Sequence, residues 1–370
     1  MHRRCYLSRV RISAADAADL AEGAALLGAG GGGDTTHGAA LMRHALDRHG
    51  PVRLVRADEL APDAWVIPVA AIGAVSVMVE RLPGDTEFVA AVRAMERHLG
   101  VRAAALHGLE AAGINALLPV AAAAWLGLPL VDADGMGRAF PRLDQTVFDL
   151  AGLPPAPLAL AEPSGTQMII TAPEGASLER LARAVLPALG GWAATAQWPM
   201  RASTSRRHAL HGTVSRALRL GRALRHARRH ADERDRALAH MNGRRLGTGV
   251  VIEVRQRGGA AHTGTVTIEN TAGRRTLRLD MADEYLLAID DGVVTAHVPE
   301  IIALLHARTW RPIFTEEVAV GQHVDVLAVP APAALGDPAT RRLMGPEAFG
   351  LDLPDDLVTA GGGGGARPCA

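Results

Sequence analysis

The sequence predicts a two-domain protein: an α/β N-terminal domain with a largely parallel sheet, and an α+β C-terminal domain with a β-rich end. Three observations predict this architecture. The chain has 370 residues, which is enough for two domains. Apolar strand-like runs alternate with helical periodicity up to about residue 150. After residue 248 the apolar period becomes two, and glycine-containing turns separate the runs.

The N-terminal half is predicted to alternate between helices and strands. We expect a helix over 13–27 with Ser13 as its N-cap, and a second helix over 35–50 that Asp34 caps and Gly50 ends. The remaining predicted elements, in order, are strands within 51–60 and 64–77, a helix at 84–100, a strand at 101–110, a helix at 113–127 and a strand at 128–135. Such alternation is typical of a parallel sheet.

The second half is predicted to be α+β. A stretch rich in proline and small residues, 151–165, is the predicted boundary, so the two domains cover 1–160 and 161–355. The elements predicted after it are a strand at 166–172, a helix at 177–191, a basic helix from Thr213 to Met241 and then antiparallel strands. The glycine-rich tail, 356–370, is predicted to be disordered.

The composition excludes several kinds of chemistry and partner. All 39 basic side chains are arginine, so a lysine Schiff base, a pyridoxal-phosphate anchor and a P-loop lysine are excluded. The formal net charge is zero, so no overall field attracts nucleic acid or an anionic membrane, and we expect neither as a partner. The longest apolar run, Ala116 to Val131, is shorter than the roughly 20 residues of a membrane span.

Cysteine placement and missing motifs narrow the function further. Cys5 and Cys369 lie near the two ends of the chain, so we expect neither a disulfide framework nor a thiol nucleophile in the core. Together with the lack of a recognisable targeting segment, this favours a reducing, cytoplasmic location. HExxH, CxxC and GxSxG patterns do not occur, so any bound metal ion would depend on carboxylates and scattered histidines.

The first candidate site is the glycine-rich segment 28–38, GAGGGGDTTHG. Consecutive glycines let backbone N–H groups converge, and the start of the following helix favours an anionic group. The candidate substrate-binding residues of this segment are Gly31, Gly32, Gly33, Asp34 and His37. Two alternatives remain open. One is a flexible turn between helices. The other is a nucleotide site, although the dinucleotide fingerprint has a strand before its glycines and here a helix is predicted.

The second candidate site is the segment 107–119, HGLEAAGINALLP. Glu110 follows a predicted strand at its carboxyl end, and Asn115 opens the next helix. In open α/β sheets, ligands gather at the carboxyl ends of strands. Glu110 is therefore a candidate catalytic residue and Asn115 a candidate substrate-binding residue. The alternative is a solvated loop acid beside a helix-start residue.

The third candidate site is the segment 129–141, PLVDADGMGRAFP, where Asp132 and Asp134 also follow a strand. Being two residues apart, their carboxylates point to the same side of an extended chain and repel each other unless a cation or proton neutralises them. Arg138, a divalent metal ion or a substrate with N–H donors would meet that need. The two aspartates are candidate catalytic residues and Arg138 a candidate substrate-binding residue. The alternative is an aspartate-rich turn with a local salt bridge.

Three further polar segments are interpreted as structural. Thr213 and Ser215 are expected to begin a helix, and the acidic pair 283–284 precedes a strand. The arginine-rich stretch 216–245 also contains acids and no aromatic residue. We therefore interpret it as a solvated helix or as a contact between copies of the chain in a homo-oligomer, not as a nucleic-acid surface.

Several motifs, taken together, resemble a known family. In chain order they are LLGAGGGGD, VIPVAAIG with VERLPG, GINALLPVAAAAWLGLPLVDADGMGRAFP, GTVSRALRLGR, VPEII and GPEAFG. They are similar to the S-methyl thiohydantoin desulfurase family, whose genes often neighbour hydantoinase and oxoprolinase subunits. The resemblance spans roughly residues 12 to 353, and DADGMGRAFP is its most specific part.

The resemblance implies a two-domain protein in which the glycine loop and five polar residues line one site: Glu110, Asn115, Asp132, Asp134 and Arg138. The implied activity hydrolyses a sulfur substituent from a five-membered, imide-like ring and leaves a hydantoin. The chain departs from the family pattern at three places. It has EAAG from Glu110 where the family has EIGG, Asp283–Glu284 where the family has NE, and PEII where the family has PDLI.

Two functional hypotheses follow. In the first, the protein is a hydrolase of a hydantoin- or thiohydantoin-like ring. Asp132 or Asp134 acts as base or metal ligand, and Arg138 or the glycine N–H groups bind negative charge on the substrate. In the second, the protein is a non-catalytic accessory subunit of a hydantoinase- or oxoprolinase-type complex. The sequence leaves open the identity of the substrate and the presence of a divalent metal ion.

Overall fold

The computed structural model describes residues 10–257, 263–270 and 275–353. It confirms the predicted fold class: an N-terminal α/β part with a mixed sheet that contains parallel strands, and a C-terminal part with an antiparallel sheet and helices. Cys5, Cys369 and the tail predicted to be disordered lie outside the described residues. Among the described helices, none has the length and apolar character needed to cross a membrane.

Strands and helices alternate along the described chain. The strands are β1 (Arg11–Ile12), β2 (Val52–Val55), β3 (Trp65–Gly73), β4 (Ala103–Gly108), β5 (Leu130–Val131), β6 (Ala133–Asp134), β7 (Leu158–Ala161), β8 (Gln167–Ile170), β9 (Trp192–Ala196), β10 (Met200–Arg201), β11 (Leu210–His211), β12 (Arg244–Arg257), β13 (Thr263–Asn270), β14 (Thr276–Met281), β15 (Tyr285–Asp290), β16 (Val293–His297), β17 (Ile301–His306) and β18 (His323–Val329). The α-helices are α1 (Ala17–Leu27), α2 (Thr35–His49), α3 (Val75–Glu80), α4 (Thr86–Leu99), α5 (Leu118–Leu126), α6 (Val147–Leu150), α7 (Gly175–Val185), α8 (Ala202–His208), α9 (Thr213–Arg229), α10 (Arg234–His240) and α11 (Pro338–Met344). Short 3-10 helices occur at Ala14–Asp16, Ala57–Glu59, Gly113–Ala116, Leu186–Leu189, Ala231–Glu233, Ala333–Gly336 and Pro346–Phe349.

The first sheet has the strand order β1-β2-β5-β4-β3-β9-β7-β8, and β10 also pairs with β3. Its central strands β2, β5, β4 and β3 are parallel, whereas β9 pairs antiparallel with β3. Alternate residues of β3 enter two different cores, Ile67 and Val69 on one face and Val66 and Ala70 on the other. Both faces are therefore covered, as expected for a sheet with parallel strands at its centre.

The second sheet is antiparallel, with the order β16-β15-β14-β13-β12-β18-β17. It has its own apolar core, which includes Val251, Leu279 and Val326. Helices α1 and α9 pack closely, and a Cβ on Gly23 would lie 1.8 Å from the carbonyl oxygen of Ala217. A larger residue at this position would force the two helices apart.

The first sheet continues beyond the proline-rich stretch at 151–165. Strands β7, β8 and β9 belong to it, and Ala70 of β3 pairs with Thr195 of β9. The domain limits 1–160 and 161–355 remain a prediction.

Two predicted elements differ from the structure because the backbone leaves the regular conformation earlier than the apolar pattern indicates. The strand predicted over 64–77 ends at Gly73, whose φ is +136°, and the chain then forms α3. The helix predicted from Thr213 to Met241 is interrupted at His230, where φ is −129° and ψ is 84°. Asp232 and Glu233 lie in the first turn of the next short helix, where negative charge is favourable.

The strand predicted over 128–135 also differs, because it changes its pairing partner at Asp132. Leu130 and Val131 pair in parallel with β2. Asp134 instead pairs antiparallel with Leu210 of β11. The regular alternation of side chains that an unbroken strand would give is therefore lost at this point.

Candidate functional site

A cavity of about 710 Å³ lies beside the glycine loop, residues 28–34. Its walls include residues that follow β3 and β4 at their carboxyl ends, helix α3, and C-terminal residues 283–284 and 314–317. This position agrees with the rule that ligands of α/β sheets bind at the carboxyl ends of strands. Both halves of the chain therefore contribute to one cavity.

The glycine loop is held by both halves of the chain. The N–H of Tyr285 donates to the carbonyl of Ala29 at 2.7 Å, and the N–H of Thr315 donates to the carbonyl of Gly30 at 2.9 Å. From the other side, Ile114 donates to the carbonyl of Gly32 at 2.8 Å. The loop joins two helices, α1 and α2, so the strand that precedes the glycines in a dinucleotide site is absent from this described segment.

The loop leaves two backbone donors available. The N–H of Gly31 donates to the carbonyl of Gly28 at 2.9 Å, so it is already used. The N–H groups of Gly32 and Gly33 have no acceptor in the part of the chain that the structure describes. Asp34 caps α2 as predicted, since its Oδ1 accepts the N–H of Thr36 at 2.8 Å. Gly31, Gly32, Gly33 and Asp34 all line the cavity.

Glu110 is buried in the cavity wall, where it is held by Asn115. The Nδ2 group of Asn115 donates to Oε1 of Glu110 at 2.6 Å and to the carbonyl of Ala71 at 3.2 Å. Oδ1 of Asn115 accepts the N–H of Ala71 at 2.7 Å, so the amide is fixed to strand β3. Oε2 of Glu110 is buried without a partner among the described residues. Both predicted residues, Glu110 and Asn115, line the cavity.

The environment of Glu110 favours its protonated form. Burial raises the pKa of this carboxyl to about 8, and the negative charges of Glu284 and Asp134 add to the effect. The hydrogen bond from Asn115 opposes the shift without cancelling it. A carboxyl whose pKa lies in this range can donate a proton when protonated and accept one when ionised, close to neutral pH.

Glu284, which the sequence pattern predicts to be structural, is a second buried carboxyl in the same cavity. Its Oε2 also has no partner within the described ranges. Burial raises its pKa to about 8, and the charge of Arg138 opposes the shift. Two signals were available: the acidic pair before a strand, and the family pattern NE, whose glutamate Glu284 matches. Neither signal shows that the segment returns to the glycine loop, where a Cβ on Gly31 would lie 2.7 Å from Oε1 of Glu284.

Asp132 and Asp134 do not share a side of the chain, contrary to the expectation from their spacing. Oδ1 of Asp132 accepts the N–H of Ser215 at 3.0 Å, and Oδ2 accepts the hydroxyl of Ser215 at 2.5 Å, so Asp132 binds the start of α9. Oδ2 of Asp134 accepts the N–H of Ala111 at 2.5 Å and that of Gly137 at 3.0 Å. Neither aspartate lines the cavity, because the chain changes partner between them.

Asp134 stabilises the loops that carry other site residues. Burial raises its pKa to about 7, and the backbone hydrogen bonds from Ala111 and Gly137 oppose the shift. Its bond to Ala111 fixes the residue immediately after Glu110. Its contribution to the cavity is therefore indirect.

Arg138 and His37 also lie outside the cavity lining. Arg138 is fully buried, and its Nη1 donates to the carbonyl of Glu300 at 2.6 Å. Burial lowers the pKa of its guanidinium to about 10, and the charge of Glu284 opposes the shift. The side chain of His37 is 43% exposed, with Nδ1 at 3.6 Å from Oδ2 of Asp34. Within residues 10–257, 263–270 and 275–353, no three His, Cys, Asp or Glu side chains are arranged to hold a metal ion.

Family models match the chain in both halves. An S-Me-THD-like N-terminal domain matches residues 15–172, and an S-Me-THD-like C-terminal domain matches residues 173–356. A crystal structure of a protein from Chromobacterium violaceum is similar, with a TM-score of 0.78 and 25% identity over 93% of this chain and 98% of that chain. Comparison with curated proteins gives no match. The two family matches cover nearly the whole chain in the expected order, and the chain therefore belongs to the S-Me-THD-like family.

Proposed function

We propose that the protein hydrolyses a hydantoin- or thiohydantoin-like ring, with a desulfurase-like reaction as the best-supported case. One observation carries the proposal. Glu110 and Glu284 line the same cavity, and each has a pKa near 8 and a buried Oε2 that no described residue contacts by a hydrogen bond. Two such carboxyls form a general acid–base pair close to physiological pH. Membership in the S-Me-THD-like family supports a ring of this class.

The proposed reaction uses the pair when it carries one proton. The ionised carboxylate takes a proton from water, whose oxygen bonds to the ring carbon that bears the methylthio group. The protonated carboxyl donates to the ring nitrogen of the C=N bond. The new hydroxyl then gives its proton to the carboxylate that protonated the ring nitrogen, and the carbon–sulfur bond breaks. The other carboxyl gives the proton that it took from water to the sulfur, so methanethiol leaves. A hydantoin remains, and both carboxyls regain their starting state.

The remaining cavity groups bind and orient the ring. The free N–H groups of Gly32 and Gly33 donate to a ring carbonyl or to the oxygen that develops negative charge. Asn115 holds Glu110 through Oε1 and so directs its Oε2. Asp132, Asp134 and Arg138 support the surrounding loops in this mechanism. No step requires a metal ion.

The test is turnover of an S-methyl thiohydantoin by the full chain, measured as thiol released and hydantoin formed. We expect Glu110→Gln and Glu284→Gln each to lower kcat by roughly 100-fold or more, because general acid–base catalysis contributes about 10²–10⁴-fold. Glu253→Gln is the matched control, since Glu253 lies on β12 with its side chain 43% exposed. Full activity in both site variants would refute the acid–base pair. A chain that is inactive on all such rings but co-purifies with a hydantoinase-type protein would favour the accessory-subunit hypothesis.

A further inference from the structure

Arg138 is a buried cation whose hydrogen bonds, within the described residues, all go to backbone carbonyls. Nε donates to Ala139 at 3.1 Å, and Nη1 donates to Glu300 at 2.6 Å and to Pro299 at 3.5 Å. Nη2 is buried and has no partner among those residues. Because charge inside a protein is poorly screened, the field of this guanidinium extends to charges beyond its own hydrogen bonds.

Glu284 is the carboxyl on which this charge acts. Burial raises the pKa of Glu284, and the positive charge of Arg138 opposes that shift. Burial lowers the pKa of Arg138, and the negative charge of Glu284 opposes that shift in turn. Arg138 is separated from the cavity by Phe140, whose ring centre lies 5.3 Å from its Cζ and which lines the cavity together with Glu284. The guanidinium therefore lies directly behind the cavity wall.

Glu110 has the opposite electrostatic surroundings. Burial raises its pKa, and the negative charges of Glu284 and Asp134 raise it further. Its Oε1 accepts a hydrogen bond from Nδ2 of Asn115 at 2.6 Å, so a proton on this carboxyl is carried by Oε2. One carboxyl of the pair thus has a cation behind it, whereas the other is surrounded by anions.

The other charged side chains of the lining do not reverse this difference. Asp283 raises the pKa of Glu284, but it acts less strongly than burial and than the opposing charge of Arg138. The two arginines of the lining are bonded to acids: Nε of Arg142 donates to Asp144 at 2.8 Å, and Nε of Arg183 donates to Glu179 at 2.7 Å. The remaining carboxylates of the lining are Asp34, Glu316 and Glu317.

The unused N–H groups of Gly32 and Gly33, at the start of α2, favour negative charge in the cavity. They do not select one carboxyl, because the glycine loop contacts both segments. A Cβ on Gly31 would lie 2.7 Å from Oε1 of Glu284, and the carbonyl of Gly32 accepts the N–H of Ile114 in the segment that follows Glu110. These N–H groups therefore remain available to negatively charged oxygens of the substrate.

We infer that Arg138 is a positioning residue that keeps the negative charge of the pair on Glu284, which makes Glu284 the base and Glu110 the acid. This inference rests on the proposed function and assigns its two roles. Glu284 takes the proton from water, and Oε2 of Glu110 gives its proton to the ring nitrogen. The later transfers return both protons as in that reaction, so the pair ends in its starting state. Arg138 lies outside the cavity lining and acts through Glu284.

The test follows the protonated carboxyl groups of the ligand-free full chain by infrared difference spectroscopy, and it needs no turnover. In Glu110→Gln only Glu284 of the pair titrates, and in Glu284→Gln only Glu110 does. We expect Glu284 to lose its proton at a lower pH than Glu110. Adding Arg138→Met should raise the pKa of Glu284 by about one unit or more, and that of Glu110 by less than half as much.

Two further variants separate charge from structure. Arg138→Lys keeps the cation and should restore most of the shift in the pKa of Glu284. Arg183→Gln removes an arginine of the lining that is 44% exposed, and it should move neither carboxyl. In turnover, the rising part of the pH–rate profile should move upward in Arg138→Met by the same shift as the pKa of Glu284.

The outcomes distinguish this inference from the proposed function. A higher pKa for Glu284 than for Glu110 would overturn the two roles, and this comparison keeps Arg138 in place, so it does not depend on the folding of Arg138→Met. Equal shifts of both carboxyls, or no recovery in Arg138→Lys, would overturn the positioning role of Arg138. If the titrations agree with expectation but no S-methyl thiohydantoin is turned over, the proposed function and the two roles fail, while the control of charge by Arg138 stands.

Discussion

Replacing Glu284 by glutamine should make the stability of the protein less sensitive to alkaline pH. Glu284 has a pKa near 8 in the folded protein and an ordinary value of 4.5. Between these values the unfolded chain has lost the proton while the folded protein keeps it. The free energy of unfolding therefore falls as pH rises, by about 1.4 kcal/mol per unit for this group. The stabilisation is complete below pH 4.5 and is lost as pH rises through about 8.

The magnitude follows from the two pKa values. Between pH 5.5 and 8.5 the carboxyl costs the wild-type protein about 3 kcal/mol of stability, and glutamine does not ionise. The free energy of unfolding of the variant, taken relative to wild type, should therefore be about 3 kcal/mol higher at pH 8.5 than at pH 5.5. Any fixed cost of burying the amide is the same at both pH values and cancels. The assay is urea unfolding of both proteins at pH 5.5 and at pH 8.5.

A matched variant separates the buried carboxyl from charge effects in general. Glu316→Gln removes an exposed carboxylate from the same cavity, and we expect its effect on stability to be nearly equal at the two pH values. If Glu284→Gln also shifts stability equally at both, Glu284 is ionised in the folded protein at neutral pH. The acid–base assignment would then lose its basis.

Three further predictions concern the rate and the supporting loops. The rate of ring hydrolysis should rise between pH 6 and 8, because one carboxyl of the pair Glu110 and Glu284 must lose its proton before the pair can react. A pH–rate profile that is flat over this range would contradict a pair that carries one proton. Asp134→Asn should cost about 1–3 kcal/mol of stability in urea unfolding, because an NH2 donor would replace Oδ1, which accepts the N–H of Gly137 at 3.0 Å. Gly113→Ala should destabilise the protein by at least about 1–2 kcal/mol, because φ is +52° and the new Cβ would lie 2.0 Å from the Gly32 carbonyl; an unchanged melting temperature would show that the loop relaxes freely.

The sequence predicts those parts of the molecule that depend on local chemistry. Helix α2 was predicted with its cap at Asp34 and its end at Gly50, because both signals lie within a few residues of the helix ends. Glu110 was predicted at a ligand site because ligands of open α/β sheets gather at the carboxyl ends of strands, and the family resemblance implied that the glycine loop lines the same site. Asn115 was also predicted at the cavity, although its bonds to Ala71 could not be anticipated.

The features that were missed depend on contacts between distant parts of the chain. The common orientation expected for Asp132 and Asp134 assumed one continuous strand, but antiparallel pairing with β11 interrupts it. Arg138 was expected at the site, yet it is bound by the carbonyl of Glu300, 162 residues away. Glu284 reaches the cavity because β15 packs against the glycine loop through the N–H of Tyr285. None of these contacts leaves a periodic or spacing signal in the sequence.

The two carboxyls of the proposed acid–base pair come from different family domains. Glu110 lies in the part matched by the N-terminal model and Glu284 in the part matched by the C-terminal model. Neither segment, inherited or expressed without the other, would carry the proton-transfer machinery. Recombination between relatives at the junction of the two domains would combine a proton donor from one protein with a proton acceptor from another. We therefore expect exchange of either half to change the pH of maximal rate as well as the ligand that binds.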